Sequence, residues 1–152
     1  MTHEVNLATL GRLLGVVDVV SVSPGNFLFR EGDDAAALYI VRSGVLQIVG
    51  DGVIYETVAA GGVVGELAIA DEGKRSASVL ASTHAELWAV DTPAFLALVK
   101  ADPEFALTIM RVMTRRLRTM NLRYRMAAHN SRRLSISRSF SANQLQHLVA
   151  LA

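Results

Sequence analysis

The chain has 152 residues, 51% of them hydrophobic and none of them cysteine, which fits one ordinary domain with a short appendage and excludes disulfides, thiolate metal sites and thiol catalysis. Its formal charge of +1 hides a polarity: residues 1–104 hold all fourteen acids against six bases, a net −8, whereas residues 105–152 hold nine arginines and no acid. Such a split accompanies an anionic partner, nucleic acid or a membrane surface, or else a basic helix packed on the acidic part of its own or a neighbouring copy. The N-terminus MTHEVNLATL lacks the basic-then-apolar order of a signal peptide. No apolar run approaches the ~20 residues of a membrane span, so the expectation is a soluble, cytoplasmic protein.

Residues 5–17 space Leu7, Leu10, Leu13 and Leu14 at helical intervals, predicting a short amphipathic helix. From Val19 the pattern changes. VVSVS precedes Pro24-Gly25, FLFREG precedes Asp33-Asp34, LYIVR precedes Ser43-Gly44, VLQIVG precedes Asp51-Gly52, and VIYETVA precedes Gly61-Gly62. Short runs punctuated by turn formers predict a β-sandwich or barrel. SASVLAS and AELWAV are two later strands, the second carrying Trp88 on what reads as its core face. Asp91-Thr92-Pro93 then opens one helix and Pro103 a longer one, both prolines in first-turn positions.

The long helix is expected over 103–128 and carries two stripes. Phe105, Ile109 and Val112 form the first. Ala106, Met110, Met113, Leu117, Met120 and Tyr124 form the second, at the alternating spacing of a coiled-coil seam, and predict a homodimer through this helix. HNSRRLSISRSFS reads as a basic linker, with RRLSI resembling a basophilic-kinase site at Ser135, and Ser141 caps an expected final helix. The domain reading is therefore 1–128 for the main domain and 129–152 for linker and terminal helix. His3, His84, His129 and His147 lack metal spacing.

One stretch, GELAIADEGKRSASV from Gly65 to Val79, interrupts the strand pattern. Gly62-Val63-Val64-Gly65 permits close backbone approach, and a helical turn beginning near Glu66 directs unpaired N–H groups outward, where an anion binds. Arg75 supplies a planar fork for two phosphate oxygens, Ser76 a hydroxyl donor, and Ala77 a low wall. Glu66 cannot face a phosphate and suits a sugar hydroxyl. One acid for a sugar and one arginine for a phosphate describe a nucleotide. The alternative is a surface salt bridge between Glu66 and Arg75, worth ~0–1 kcal/mol.

Over Leu10–Met126 the sequence resembles the cyclic nucleotide-binding domain family of the catabolite gene activator, the regulatory subunits of cyclic-AMP-dependent kinase and the cyclic-nucleotide-gated channels. The resemblance rests on PGNFLFREGDDAAALYIVRSGVLQI, Gly-x-x-Gly-Glu-Leu-Ala, Arg-Ser-Ala-Ser-Val and AELWAVDTPAFLALV, in that order. It implies an α+β fold: an antiparallel, jelly-roll-like β-roll of about eight strands, with an N-terminal helix, a short phosphate-cassette helix and a long C-terminal helix. By the same resemblance Glu66 binds the ribose 2′-hydroxyl with the Gly65 backbone assisting. The Leu67 and Ala68 N–H groups, Arg75 and Ser76 hold the cyclic phosphate, with Ala77 closing the cassette. Gly25, Gly32 and Gly44 match turn glycines of the roll. Val64 stands where the family often has an aromatic, and the Ala68–Arg75 loop is a residue shorter than in the catabolite activator. The activator's base-reading positions fall on Met120 and Asn121; the Asn121 amide either bonds an adenine edge bidentately or is a solvated helix residue.

The ligand implied is cyclic AMP, or less favourably cyclic GMP, with no metal and no enzymatic step. The output is a moved helix. The expected protein is a stand-alone sensor, because a helix-turn-helix head needs more chain than follows the long helix. Its rivals are a truncated or atypical transcription regulator and a protein that binds nucleic acid, lipid or another partner through its arginine-rich end.

Overall fold

The computed structural model describes Val5, Asn6, Gly11 and residues 17–71 and 73–138. The helix expected over 5–17 and the one expected from Ser141 lie almost wholly or wholly outside the described residues. The chain divides into two units, Met1–Met113 and Thr114–Ala152.

The first unit is built on eight antiparallel strands: β1 (Val19–Val22), β2 (Phe27–Phe29), β3 (Ala37–Ser43), β4 (Leu46–Gly50), β5 (Val53–Val58), β6 (Val63–Val64), β7 (Ser78–Ala81) and β8 (Ala85–Asp91). They form two four-stranded sheets, ordered β1-β8-β3-β6 and β2-β7-β4-β5. This is the expected α+β roll. The Asp51-Gly52 turn closes the β4–β5 hairpin with both residues at positive φ, 53° and 72°, as a two-residue type I′ connection requires.

The two sheets differ in how they are covered. Strand β3 buries both of its faces. Leu38 and Ile40 enter one core with Val63, Val90, Leu98, Phe105 and Ile109, while Val41 enters another with Leu46, Val58, Val79 and Leu87. That is why LYIVR reads as a continuous apolar run rather than an alternating one. The sheet containing β3 thus has helices on one side and the second sheet on the other. Gly44, at φ 89°, lets the connection between the sheets pass the β7–β8 turn, since a Cβ there would lie 2.2 Å from the His84 carbonyl oxygen.

Three helices complete the description: α1 (Leu67–Ala70), α2 (Thr92–Ala101) and α3 (Pro103–Arg138). The Asp91 side chain accepts from the Ala94 N–H at 3.0 Å and so caps α2, with Pro93 in its first turn. On α3, Phe105, Ile109 and Val112 are buried as the first stripe predicted. From the second stripe Met110, Leu117, Met120 and Tyr124 are exposed, at 60%, 60%, 64% and 77%. Ala106 and Met113 of the same stripe are half-buried, Met113 against the core that Ile40 enters.

One expectation needs correction. The segment read as a linker, from His129, is helical as far as Arg138, so α3 has 36 residues instead of ending at 128. Between Glu104 and Arg138 there is neither proline nor glycine, and arginine and serine make a helix polar without stopping it. The dipeptide Val63-Val64, to which the sequence assigned no strand, is β6 and pairs with β3 through Ile40↔Val63 and Tyr39↔Val64.

Candidate functional site

The stretch from Gly65 to Ala77 leaves β6, makes the single turn α1 and returns into β7. Its geometry starts at Gly65. With φ at 72°, the residue turns the chain in a region that side chains disfavour. An added Cβ would sit 2.5 Å from Arg75 Nη1 and 3.3 Å from Phe29 Cε1. Backbone conformation and space therefore demand glycine independently.

Glu66 and Arg75 are both buried, at 6% and 7% exposure, and are the buried charged residues among those described. Any attraction between them is therefore a buried one and not the exposed pair considered from sequence. Charged groups leave water at a cost unless something receives them. For Arg75 the receivers are backbone and rings. Nη2 donates to the Ala37 carbonyl at 2.8 Å and Nη1 to the Gly65 carbonyl at 3.3 Å. The guanidinium lies 4.0 Å from the Phe29 ring centroid and 5.7 Å from that of Tyr39. Such stacking suits arginine's planar, weakly hydrated cation. Nε is buried with no hydrogen-bond partner. Burial holds the Arg75 pKa below the ordinary arginine value, opposed by Tyr39, Asp33 and Glu66.

Backbone bonds fix this arginine in place. Its N–H donates to the Asp33 carbonyl at 2.8 Å, and its carbonyl accepts from Gly32 N–H at 2.9 Å. One residue pair further out, Ala35 N–H reaches the Gly73 carbonyl at 3.1 Å. The segment after β2 thus serves as a rail for the segment before β7. At its outer edge the Lys74 ammonium donates to Asp34, lowering the Asp34 pKa and raising that of Lys74, mainly through that hydrogen bond.

Of the residues singled out from sequence, Gly65, Glu66 and Arg75 converge at the turn. Ala68 is buried beneath it, and its N–H is drawn back to the Gly65 carbonyl at 3.2 Å. Leu67 and Ser76 are exposed and Ala77 is half-buried. Asn121 lies in the second unit, exposed on α3. Phe29, Tyr39 and the Ala37 carbonyl were not anticipated. Strand geometry puts Tyr39 on the face of β3 that carries Val41, and Phe29 and Tyr39 both pack against the core that Val41 enters, but nothing in the sequence names Arg75 as their neighbour.

The arrangement has the chemistry that retention of an anion would use. Two carbonyls occupy one donor on each Nη and Tyr39 also bonds the guanidinium, so the Nε–H and a remaining Nη hydrogen form the fork. A phosphate takes such a fork bidentately, and Glu66 can accept from a hydroxyl nearby. Among the described residues no group of three or more His, Asp or Glu is placed to hold a metal, and no helix is long and apolar enough to cross a membrane.

Comparison with known proteins points the same way. The family profile described as "Cyclic nucleotide-binding domain" matches residues 19–102. The chain is 38% identical over 74 residues to the "cAMP-dependent protein kinase type II regulatory subunit" of Drosophila melanogaster, covering 49% of this chain and 20% of that one. It is 34% identical over 103 residues to the "Cyclic AMP receptor protein" of Thermus thermophilus, covering 64% of this chain and 48% of that one. The chain therefore spans about a fifth and about half of the lengths of these two curated relatives. The crystal structure of the Thermus thermophilus catabolite activator protein matches with a TM-score of 0.69 at 28% identity, over 80% of this chain and 59% of that one.

Proposed function

The chain belongs to the cyclic nucleotide-binding domain family, and on that premise we propose that it binds cyclic AMP in preference to cyclic GMP and signals occupancy through α3. The observation that carries the reading is the buried Arg75, stacked on two aromatic rings and held by two carbonyls, with its Nε unpartnered. A protein bears the cost of such a group when a ligand repays it. In this reading Arg75 and Ser76 take the cyclic phosphate together with the Leu67 and Ala68 N–H groups, the last shared with the Gly65 carbonyl. Glu66 takes the 2′-hydroxyl, with the Gly65 backbone beside it, and Ala77 keeps the wall low.

The base preference is assigned to Asn121, whose amide matches the adenine edge. The site's polar groups suit holding, and none is arranged for attack or proton transfer, so the reading is a regulator and not an enzyme. A ligand moves an equilibrium only through contacts that differ between states. The exposed seam of Leu117, Met120 and Tyr124, adaptable because methionine repacks easily, suits a homodimer as the element that shifts.

Isothermal titration calorimetry with cyclic AMP and cyclic GMP tests the reading. Cyclic AMP is expected to bind at micromolar Kd or tighter, with a loss of at least about 100-fold in Arg75→Ala, the magnitude of a truncated buried charge contact. Asn121→Ala should erase the preference between the two nucleotides while leaving the phosphate contribution intact. A folded protein that gives no heat with either nucleotide would overturn the proposal.

A further inference from the structure

The arginines of α3 beyond Met113 are not used by the nucleotide reading. From Thr114 to Arg138 the helix carries eight arginines and no lysine, aspartate or glutamate. Arg115, Arg118, Arg125 and Arg132 are all exposed. At 3.6 residues per turn they fall within about 100° of arc, forming one row about 26 Å long. Leu117, Met120 and Tyr124 lie on a different face, centred about 130° away around the same helix.

We propose that this row is a docking surface for the phosphate backbone of duplex nucleic acid, bound without regard to base sequence. Charge complementarity carries the assignment: a row of like charge with no interspersed acid matches a polyanion whose charges also run in a line. The exclusive use of arginine matches phosphate, which the guanidinium fork grips through two oxygens. A lipid surface engages less of the charge: with Leu117, Met120 and Tyr124 facing down, Arg116 and Arg123 would flank the apolar face, whereas Arg115 and Arg118 would point away from the headgroups. A homodimer formed through the apolar seam would leave the row outside.

The binding is steeply salt-dependent. Four phosphate contacts give a slope of log K against log salt of about −3 to −4, so affinity falls about 100-fold between 50 and 200 mM KCl. The test uses the full chain with a fluorescent 24-base-pair duplex of arbitrary sequence, read by anisotropy across that range, and parallel sedimentation with phosphatidylcholine vesicles containing phosphatidylserine. The triple variant Arg118→Gln/Arg125→Gln/Arg132→Gln, chosen because glutamine matches arginine in helix propensity, should flatten the slope to about −1. Its circular dichroism spectrum and Tm should match the parent's. No anisotropy change at 50 mM KCl, retention on vesicles in place of DNA, or an unaltered slope in the folded triple variant would each overturn the proposal. Nucleotide binding can fail or succeed without affecting this outcome.

Discussion

Arg75 and Arg118 are the same side chain in opposite circumstances. Arg75 is buried, pinned by two carbonyls and stacked on Phe29 and Tyr39; Arg118 is exposed on α3. Burial removes water from between a cation and its ligand, raises the worth of each hydrogen bond and weakens salt screening. It also fixes the direction from which a phosphate can arrive. Exposure does the reverse, leaving a charge that acts at long range, screens easily and gains strength by repetition. One buried arginine can specify a small ligand, whereas four exposed ones suit a surface met in many registers.

The sharpest way to test that contrast is to change an apolar residue in each region. Ile40 is fully buried on the doubly covered strand β3, so Ile40→Ala should cost about 2–5 kcal/mol, through lost transfer energy and the cavity left behind. Leu117 is 60% exposed on α3, and Leu117→Ala should change the stability of the roll by less than about 0.5 kcal/mol. Urea titrations of the two variants followed by tryptophan fluorescence would read the difference, because Trp88 packs against the Ile40 core. Equal losses would mean that the two regions unfold as one.

Second in size is the turn that holds the buried site. Gly65→Ala forces a side chain into φ 72° and against Arg75 Nη1. The expected cost is about 1–3 kcal/mol of strain, and nucleotide affinity should fall at least 10-fold because the guanidinium must move. Third comes Glu66→Gln, which keeps the shape and removes the charge. The loss of a charge-assisted hydrogen bond, about 1–2 kcal/mol, predicts a 5- to 30-fold weaker cyclic AMP and a much smaller change for a 2′-deoxy analogue. If the analogue loses as much as the parent nucleotide, Glu66 does not bind the sugar.

How far these regions were legible in sequence follows from the same contrast. Glu66 and Arg75 stood out because a glycine-flanked break in strand alternation contains them. Asp51-Gly52 announced its hairpin, and Phe105, Ile109 and Val112 announced the face of α3 that is buried. What holds Arg75 was hidden. Phe29 and the Ala37 carbonyl come to it from strands 46 and 38 residues away in sequence, and only sheet pairing brings them together. Strand β6 has two residues, too few to show alternation. The extent of α3 was underestimated because a drop in apolar content resembles a linker, although no residue there stops a helix.

The smallest expected effect lies at the rim of the buried site and separates exposure from proximity. Asp34 and Lys74 form an ion pair beside the rail that carries Arg75, yet their side chains are 90% and 68% exposed. The lowered Asp34 pKa means that its contribution to stability is present above its unfolded pKa and is lost as pH falls through the folded value. The raised Lys74 pKa means that its contribution is present below its unfolded value and is lost as pH climbs through the folded one. Between roughly pH 5 and pH 9 both groups are charged and the pair is constant. The rail itself is backbone: Gly32 to Arg75, Arg75 to Asp33 and Ala35 to Gly73. Asp34→Asn should therefore lower Tm at pH 7 only slightly and leave the cyclic AMP Kd within 2-fold of the parent, the small Tm difference fading as pH falls below the ordinary carboxylate range. If instead Asp34→Asn weakens the nucleotide as Glu66→Gln is expected to, the orientation of Arg75 depends on the exposed pair, and burial alone does not distinguish the sensing arginine from those of α3.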